Sequence, residues 1–254
     1  MSKHLNRFSS RVENYIKFRP GYPPEIIGIL ESECGFTSSA VIADVGSGTG
    51  ILSELFLRNG NKVFGIEPNA PMRNAGERQL ETFDNFISID SSAEATVLES
   101  QSIDFITAGQ AFHWFDRSKA KTEFKRILKP DGWVVLIWNE RLLEITAFLR
   151  GYESLLLQYG TDYQEIRHEN VEPEIDSFFA PSTCRLMTLE NFQYFDLEGF
   201  KGRVYSSSYA PEPGHPNFNP MADKLEELFN TYAREGKVTF EYATRIYLGR
   251  MTTG

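Results

Sequence analysis

The chain has 254 residues, with 26 Lys plus Arg against 35 Asp plus Glu, a formal net charge of −9 and a sequence pI near 5.1. At 41% hydrophobic and 24% charged it has ample material for a core, which excludes disorder, collagen and coiled coil as descriptions of the whole chain. The acidic balance argues against bulk binding to nucleic acid or anionic membrane by counterion release and puts small-molecule chemistry first.

Residues 1–38 carry five basic and four acidic side chains. They read as an N-terminal helical cap of one or two helices joined at Arg19-Pro20-Gly21-Tyr22-Pro23-Pro24, where fixed proline φ angles end one helix and can start the next. Residues 39–139, with ten basic and thirteen acidic side chains, alternate short aliphatic runs with amphipathic stretches, the signature of successive βαβ units. Strands are expected over Ala40 to Asp44, Lys62 to Glu67, Asn85 to Ile89, Ile103 to Ala108 and Trp133 to Trp138. Helices are expected over Ile51 to Asn59, Ala70 to Thr82 and Ser118 to Leu128, the last stopped by a Lys129-Pro130-Asp131-Gly132 turn.

Residues 140–254 hold eleven basic and eighteen acidic side chains and read as an elaboration that covers the substrate and closes the sheet. An apolar helical stretch, Ile145 to Tyr159, precedes the acid-rich Asp162 to Asp176. Alternating strand-like runs follow, and the segment from Gly236-Lys237-Val238 to Tyr247 reads as a closing edge strand. The whole is expected to be one α/β domain. Cys34 and Cys184 fit no metal-ligand or CxxC spacing and are read as reduced, packed thiols. No apolar stretch follows Met1-Ser2-Lys3-His4, and the run Trp133 to Trp138 is too short to cross a bilayer, so the expected address is the cytoplasm.

The sharpest motif is Asp44-Val45-Gly46-Ser47-Gly48-Thr49-Gly50, at a strand end and a helix start. Glycines there let a ligand approach the backbone, and helix N-terminal amides favour anionic groups. The spacing differs from the dinucleotide fingerprint, and a P-loop would need Gly-Lys-Ser/Thr, which is absent. A second acid, Glu67, closes the next strand in Gly65-Ile66-Glu67-Pro68, where a carboxylate can accept both hydroxyls of a ribose.

On these residues the stretch 39–139 resembles a class I S-adenosylmethionine-dependent methyltransferase. The resemblance implies a doubly wound, Rossmann-like, seven-stranded and mostly parallel sheet of order 3-2-1-4-5-7-6 with strand seven antiparallel. It implies S-adenosyl-L-methionine as cofactor and S-adenosyl-L-homocysteine as product, with no metal. Asp44, Gly46, Ser47, Gly48 and Gly50 are similar to the family's first motif, Glu67 to its ribose-binding acid, and Ser91-Ser92-Ala93-Glu94 to its adenine turn. Many relatives carry an Asp there, so Ser92 leaves a neutral acceptor or Glu94 for the exocyclic amine. Pro68, Met72, Gln110, Phe112, Tyr22 and Arg19 complete the implied cofactor set. The segments Thr107 to Asp116 and Arg126 to Trp133 resemble a small-molecule subgroup that includes trans-aconitate methyltransferase-like proteins.

Methyl transfer from a sulfonium is an in-line displacement in which positioning supplies much of the rate, and a base is needed only for an acceptor that carries a proton of high pKa. His113, after the fourth strand, is the candidate base; orienting a loop or capping a helix is its other reading. His4, His168 and His215 lack a surrounding motif and are expected at the surface. Phe112, Trp114 and Phe115 can line a pocket or steady a sulfonium, or pack in the core. Trp114, Arg203 and Arg141 are the candidate substrate contacts, since a bidentate arginine suits a carboxylate or phosphate.

The expected acceptor is a small molecule, a carboxylate or hydroxyl oxygen among the candidates, and the expected state is a monomer or weak homodimer. An S-adenosylmethionine-binding protein without catalysis, or a methyltransferase acting on RNA or protein, stands as the alternative. Gly109-Gln110-Ala111-Phe112 takes the place of an Asn-Pro-Pro-Tyr motif, no Pro-Cys motif appears, and no close set of two Asp and one Asn follows the fourth strand.

Overall fold

In the computed structural model, residues 16–163, 172–207 and 209–251 are described. The chain runs α1 (Glu25–Cys34), β1 (Val41–Val45), α2 (Ile51–Arg58), β2 (Lys62–Ile66), α3 (Ala70–Gln79), β3 (Phe86–Ile89), β4 (Ile103–Gly109) and a 3-10 turn (Phe112–Trp114). It continues with α4 (Arg117–Ile127), β5 (Leu128–Arg141), α5 (Ala147–Tyr159), α6 (Glu172–Phe179), β6 (Cys184–Phe195), α7 (Leu197–Tyr205), α8 (Phe218–Tyr232) and β7 (Val238–Arg250). The sheet has seven strands in the order β3-β2-β1-β4-β5-β7-β6, with β7 antiparallel. The pairs β1–β2, β2–β3, β1–β4 and β4–β5 are all parallel.

Two compact units divide the chain: a larger one of residues 21–139, 170–189 and 244–254, and a smaller one of residues 1–20, 140–169 and 190–243. The first break falls inside the stretch 1–38 that the sequence presents as one cap. In the larger unit, alternation along β5 sends Val134 and Leu136 into one buried cluster with Ile106, Phe112 and Phe124, and Val135 and Ile137 into another with Ile42, Phe56 and Phe105. Successive strand residues point to opposite faces, so both faces of this parallel sheet are covered, as a sheet wound on both sides requires. The smaller unit has its own core, with Phe148, Tyr152, Phe200, Leu225 and Phe240 at its centre.

Local chemistry explains the element starts. Asn69 caps α3 by accepting from the Met72 amide at 3.1 Å, and Asp116 caps α4 by accepting from the Lys119 amide at 3.2 Å. Pro24 stands at the N-cap of α1 with φ of −63°, already helical.

Three expectations are corrected. Residues Lys129 to Gly132 are not a free turn, because β5 starts at Leu128 and pairing passes from Ile103↔Leu128 to Phe105↔Trp133 through a register shift. The Lys129 ammonium bonds both oxygens of Asp104, at 2.8 and 2.9 Å, and holds the irregular stretch against β4. The same strand, expected to end at Trp138, runs on through Arg141. The segment from Val238 is strand seven of the order that the resemblance implies and so is not an edge strand: β7 lies between β5 and β6 with nearly alternate residues buried, and β6, its residues divided between exposed and half-buried, takes the edge.

No helix among the described residues is long and apolar enough to cross a membrane. Cys34 and Cys184 are half-buried free thiols, each pushed up to about 11 chiefly by burial. His215 is exposed. His4, His168 and much of the acid-rich stretch, residues 164–171, lie outside the described residues.

Candidate active site

The site is built at the carboxyl ends of β1, β2 and β4, where open α/β sheets receive ligands. Its centre is the turn from β1 into α2. Gly46, Gly48 and Gly50 have φ of 68°, 58° and 84°, a left-handed backbone that other residues rarely adopt. A Cβ on Gly46 would stand 2.5 Å from the Ala111 Cβ, so glycine lets the loop and the turn after β4 come together. The Gly46 and Ser47 amides both donate to the Ile66 carbonyl, at 2.8 and 3.1 Å, and fix the loop against the end of β2.

Glu67 is 8% exposed. Its Oε2 accepts the Gly48 amide at 2.9 Å and its Oε1 the Asn69 amide at 2.8 Å. Burial raises its pKa, while the Asn69 and Gly48 amides and the Arg73 guanidinium pull the other way. Arg73 in turn donates to the Glu67 carbonyl and forms a two-point ion pair with Asp90. A carboxylate oxygen has two lone pairs, so each Glu67 oxygen keeps acceptor capacity beyond the amide it holds.

Asp44 has a different setting. It is fully buried, and its oxygens accept the Ser53 hydroxyl at 2.6 Å and the Thr107 hydroxyl at 3.0 Å. It thus ties β1 to α2 and β4 from beneath the loop. Burial pushes its carboxyl up to about 6 against the pull of those two hydroxyls.

Met72 is buried, its methyl in reach of Gly48, and Pro68 is exposed. The Ser91–Ala95 turn is closed by a bridge between Ser92 and Ala95, and Ala93 is buried. Glu94 does not hang free, because its Oε1 accepts the Asp116 amide at 2.8 Å and links this turn to the start of α4.

After β4, Gln110 adopts φ of 57°, a left-handed conformation uncommon outside glycine and a mark of stored local strain. Its side-chain amide donates to the Asn139 carbonyl at 3.1 Å. Asn139 continues the chain of contacts, donating to the Gly21 carbonyl at 3.1 Å and accepting from the Thr244 hydroxyl at 2.5 Å. Tyr22 is drawn to the same place: a Cβ on Gly109 would fall 2.4 Å from its hydroxyl oxygen.

The ring of Phe112 is fully buried against Phe115, Trp138 and Phe178, so it serves the core. His113 is half-buried in the 3-10 turn with its ring centroid 4.4 Å from that of Trp114, and Trp114 is 42% exposed.

These larger-unit residues form one neighbourhood, whereas Arg19, Arg141 and Arg203 belong to the smaller unit. Arg141 is engaged there by Glu153 at 2.5 Å and Tyr163 at 2.8 Å. Sequence reasoning missed Asn69, Ser53, Thr107 and Asn139. Only Asn69 carried a visible signal, as a capping residue directly before Ala70-Pro71.

The family model described as Methyltransferase domain matches residues 43–136, from β1 into β5. An uncharacterised methyltransferase of Mycobacterium tuberculosis is 32% identical over 225 residues, covering 89% of this chain and 86% of its own. The chain belongs to the methyltransferase family. An uncharacterised methyltransferase of Schizosaccharomyces pombe is 32% identical over 135 residues, 53% of each chain, so that match spans about half the length of the yeast protein. A structure described as a type II methyltransferase from Anaeromyxobacter dehalogenans superposes with a TM-score of 0.72 at 20% identity, over 93% of this chain and 100% of that one, a likeness of fold. In this methyltransferase the family match thus coincides with the strands that carry the glycine loop, Glu67 and the turn after β4.

Proposed function

We propose that this methyltransferase moves the methyl group of S-adenosylmethionine to an oxygen, carboxylate or hydroxyl, of a small-molecule acceptor. The observation that carries the reading is the buried Glu67 carboxylate, held by the Gly48 and Asn69 amides with lone pairs to spare for a ribose diol. Two further features fit the cofactor. The glycine loop offers backbone without side chains, and the Thr49 hydroxyl inside it is buried with no hydrogen-bond partner among the described residues.

Glu67 would hold the ribose, Ser92, Ala93 and Glu94 the adenine, and the amides of the glycine loop the remaining polar end. S-adenosylmethionine supplies a methyl group already activated on a sulfonium. What remains for the protein is alignment, for which roughly 7–11 kcal/mol is available from positioning, and removal of a proton when the acceptor is a hydroxyl. His113, in the turn after β4, would take that proton.

The likeness of Thr107 to Asp116 and Arg126 to Trp133 to trans-aconitate methyltransferase-like proteins supports a place in a small-molecule subgroup. The acidic chain supports a protein that acts away from nucleic acid and membranes, in the cytoplasm, as a monomer or weak homodimer. Calorimetry with S-adenosylmethionine, followed by turnover across carboxylic acids, phenols, amines, RNA and protein, tests the reading. Binding with product on small oxygen acceptors is expected. Binding without product on any acceptor supports a non-catalytic module, and product on RNA or protein alone overturns the small-molecule reading.

A further inference from the structure

The smaller unit buries an unusual concentration of guanidinium groups. Arg203 on α7 is 5% exposed and lies 5.8 Å from the ring centre of Phe240. One of its terminal nitrogens donates to the Ser207 hydroxyl at 3.2 Å, while its Nε is buried with no hydrogen-bond partner among the described residues. Arg141 lies 4.8 Å above the Tyr152 ring and spends Nη2 on Glu153 and Tyr163. Its Nη1 and the Tyr152 hydroxyl are also buried without a partner among the described residues.

Arg203 and Arg141 both act electrostatically on Tyr152 and on Tyr209, whose ring centroid is 4.9 Å from that of Tyr163. Burial alone would raise the Tyr209 phenol, but Arg203, the Ser207 side chain, Arg19 and Arg141 bring it net below the ordinary range. Among the described residues the one carboxylate bonded to either Arg141 or Arg203 is Glu153.

Buried cationic groups with open donors are costly unless something anionic meets them. Here the open donors are few: one nitrogen on each arginine and one phenol. That number suits the two oxygens of a planar carboxylate, which arginine grips best, and the Glu153 charge beside them opposes a dianionic phosphate.

We propose that the smaller unit holds a receiving site for one carboxylate group, formed by Arg203 and Arg141 with the Tyr152 hydroxyl, beside Tyr209 and with Arg19 adding positive charge. The identity of the bound molecule as the methyl acceptor rests on the function proposed above; the site itself does not. A carboxylate gripped by guanidinium donors has its lone pairs occupied and is a handle, so the oxygen that receives the methyl group lies elsewhere on the same molecule.

Calorimetry on the full chain tests this, with propionate and succinate as probes and inorganic phosphate at matched ionic strength as the control. Both carboxylates are expected to bind, phosphate to bind far more weakly, and Arg203→Met to weaken carboxylate binding about tenfold or more while S-adenosylmethionine still binds as in the wild type. Absence of carboxylate binding, phosphate binding as tight as carboxylate, or unchanged affinity in Arg203→Met overturns the site. Should that variant unfold, the wild type decides: saturating propionate is expected to move the first appearance of tyrosinate absorbance to higher pH, and no movement overturns the proposal. Loss of S-adenosylmethionine binding alone would overturn the donor reading and leave the carboxylate site standing.

Discussion

The Gly48 amide donates to Glu67 Oε2 at 2.9 Å, so the glycine loop after β1 and the acid after β2 are held as one piece across nineteen positions of sequence. Glu67 therefore does structural work before any ligand arrives.

Replacing Glu67 separates its two tasks. Glu67→Ala leaves the Gly48 and Asn69 amides unmatched, an expected stability loss of about 1–3 kcal/mol, and lowers S-adenosylmethionine affinity about 10- to 100-fold through the lost charged acceptor. Glu67→Gln keeps one acceptor oxygen and should fall between wild type and Ala in both. Calorimetry with the cofactor and chemical denaturation measure the two effects; unchanged cofactor affinity in Glu67→Ala would remove the ribose role.

Asp44 sets a pH dependence of stability. Its carboxyl is pushed up to about 6 in the fold against 3.8 for an unburied aspartate. The folded state therefore binds the proton more tightly than the unfolded one, and this group's contribution is most favourable below pH 4 and fades as pH rises through 6. Asp44→Asn should be more stable than wild type at pH 7 by on the order of 2–3 kcal/mol, with the difference shrinking toward pH 4. Melting temperatures of both proteins across that range check it, and a difference that does not change with pH would count against the shift.

Gly46→Ala combines a φ of 68° with a Cβ 2.5 Å from Ala111. The substitution should cost about 1–3 kcal/mol in stability and displace the turn that carries His113, lowering cofactor affinity as well. A variant as stable as the wild type would show that the loop can relax without consequence.

His113→Ala separates base catalysis from positioning. With a hydroxyl acceptor kcat should fall about 100-fold or more while cofactor affinity holds. Equal turnover by the two proteins would assign His113 to loop geometry.

Arg141 and Glu153 are a buried pair at 2.5 Å, with side chains only 11% and 12% exposed. Removing one partner strands the other, so Glu153→Leu should lose about 3–5 kcal/mol. The double replacement Arg141→Met with Glu153→Leu should recover much of that loss in denaturant unfolding. Additive losses would mean that the pair is not coupled.

Much of the cofactor-side geometry was legible because it depends on short spacing. Gly46, Gly48 and Gly50 lie within five residues, and Glu67 ends the adjacent parallel strand, so the βαβ pattern alone brings them together. The hydroxyls of Ser53 and Thr107 that hold Asp44 were not legible, since a buried serine or threonine has no pattern until its partner is placed. Pro130-Asp131-Gly132 carries turn chemistry, yet the pairing of β5 with β4 and the Lys129–Asp104 contact draw it into a strand. The inner place of β7 is a long-range choice that alternation in either strand does not encode; it was legible only through the family resemblance, whose strand order the sheet has. Arg203 was visible singly. Its company of Tyr152, Tyr209 and Tyr242 was not.

The smaller unit is drawn from three stretches, 1–20, 140–169 and 190–243, and each supplies one member of the buried arginine cluster: Arg19, Arg141 and Arg203. A chimera that exchanges any single stretch with a relative replaces one member of the cluster and keeps two, so the cluster cannot be transplanted as a cassette. Exchange of all three stretches together, with β1 to β4 and their loops left in place, is the smallest graft that carries the whole cluster. In this chain, change in the cluster should therefore arise from coordinated point changes sooner than from segmental recombination.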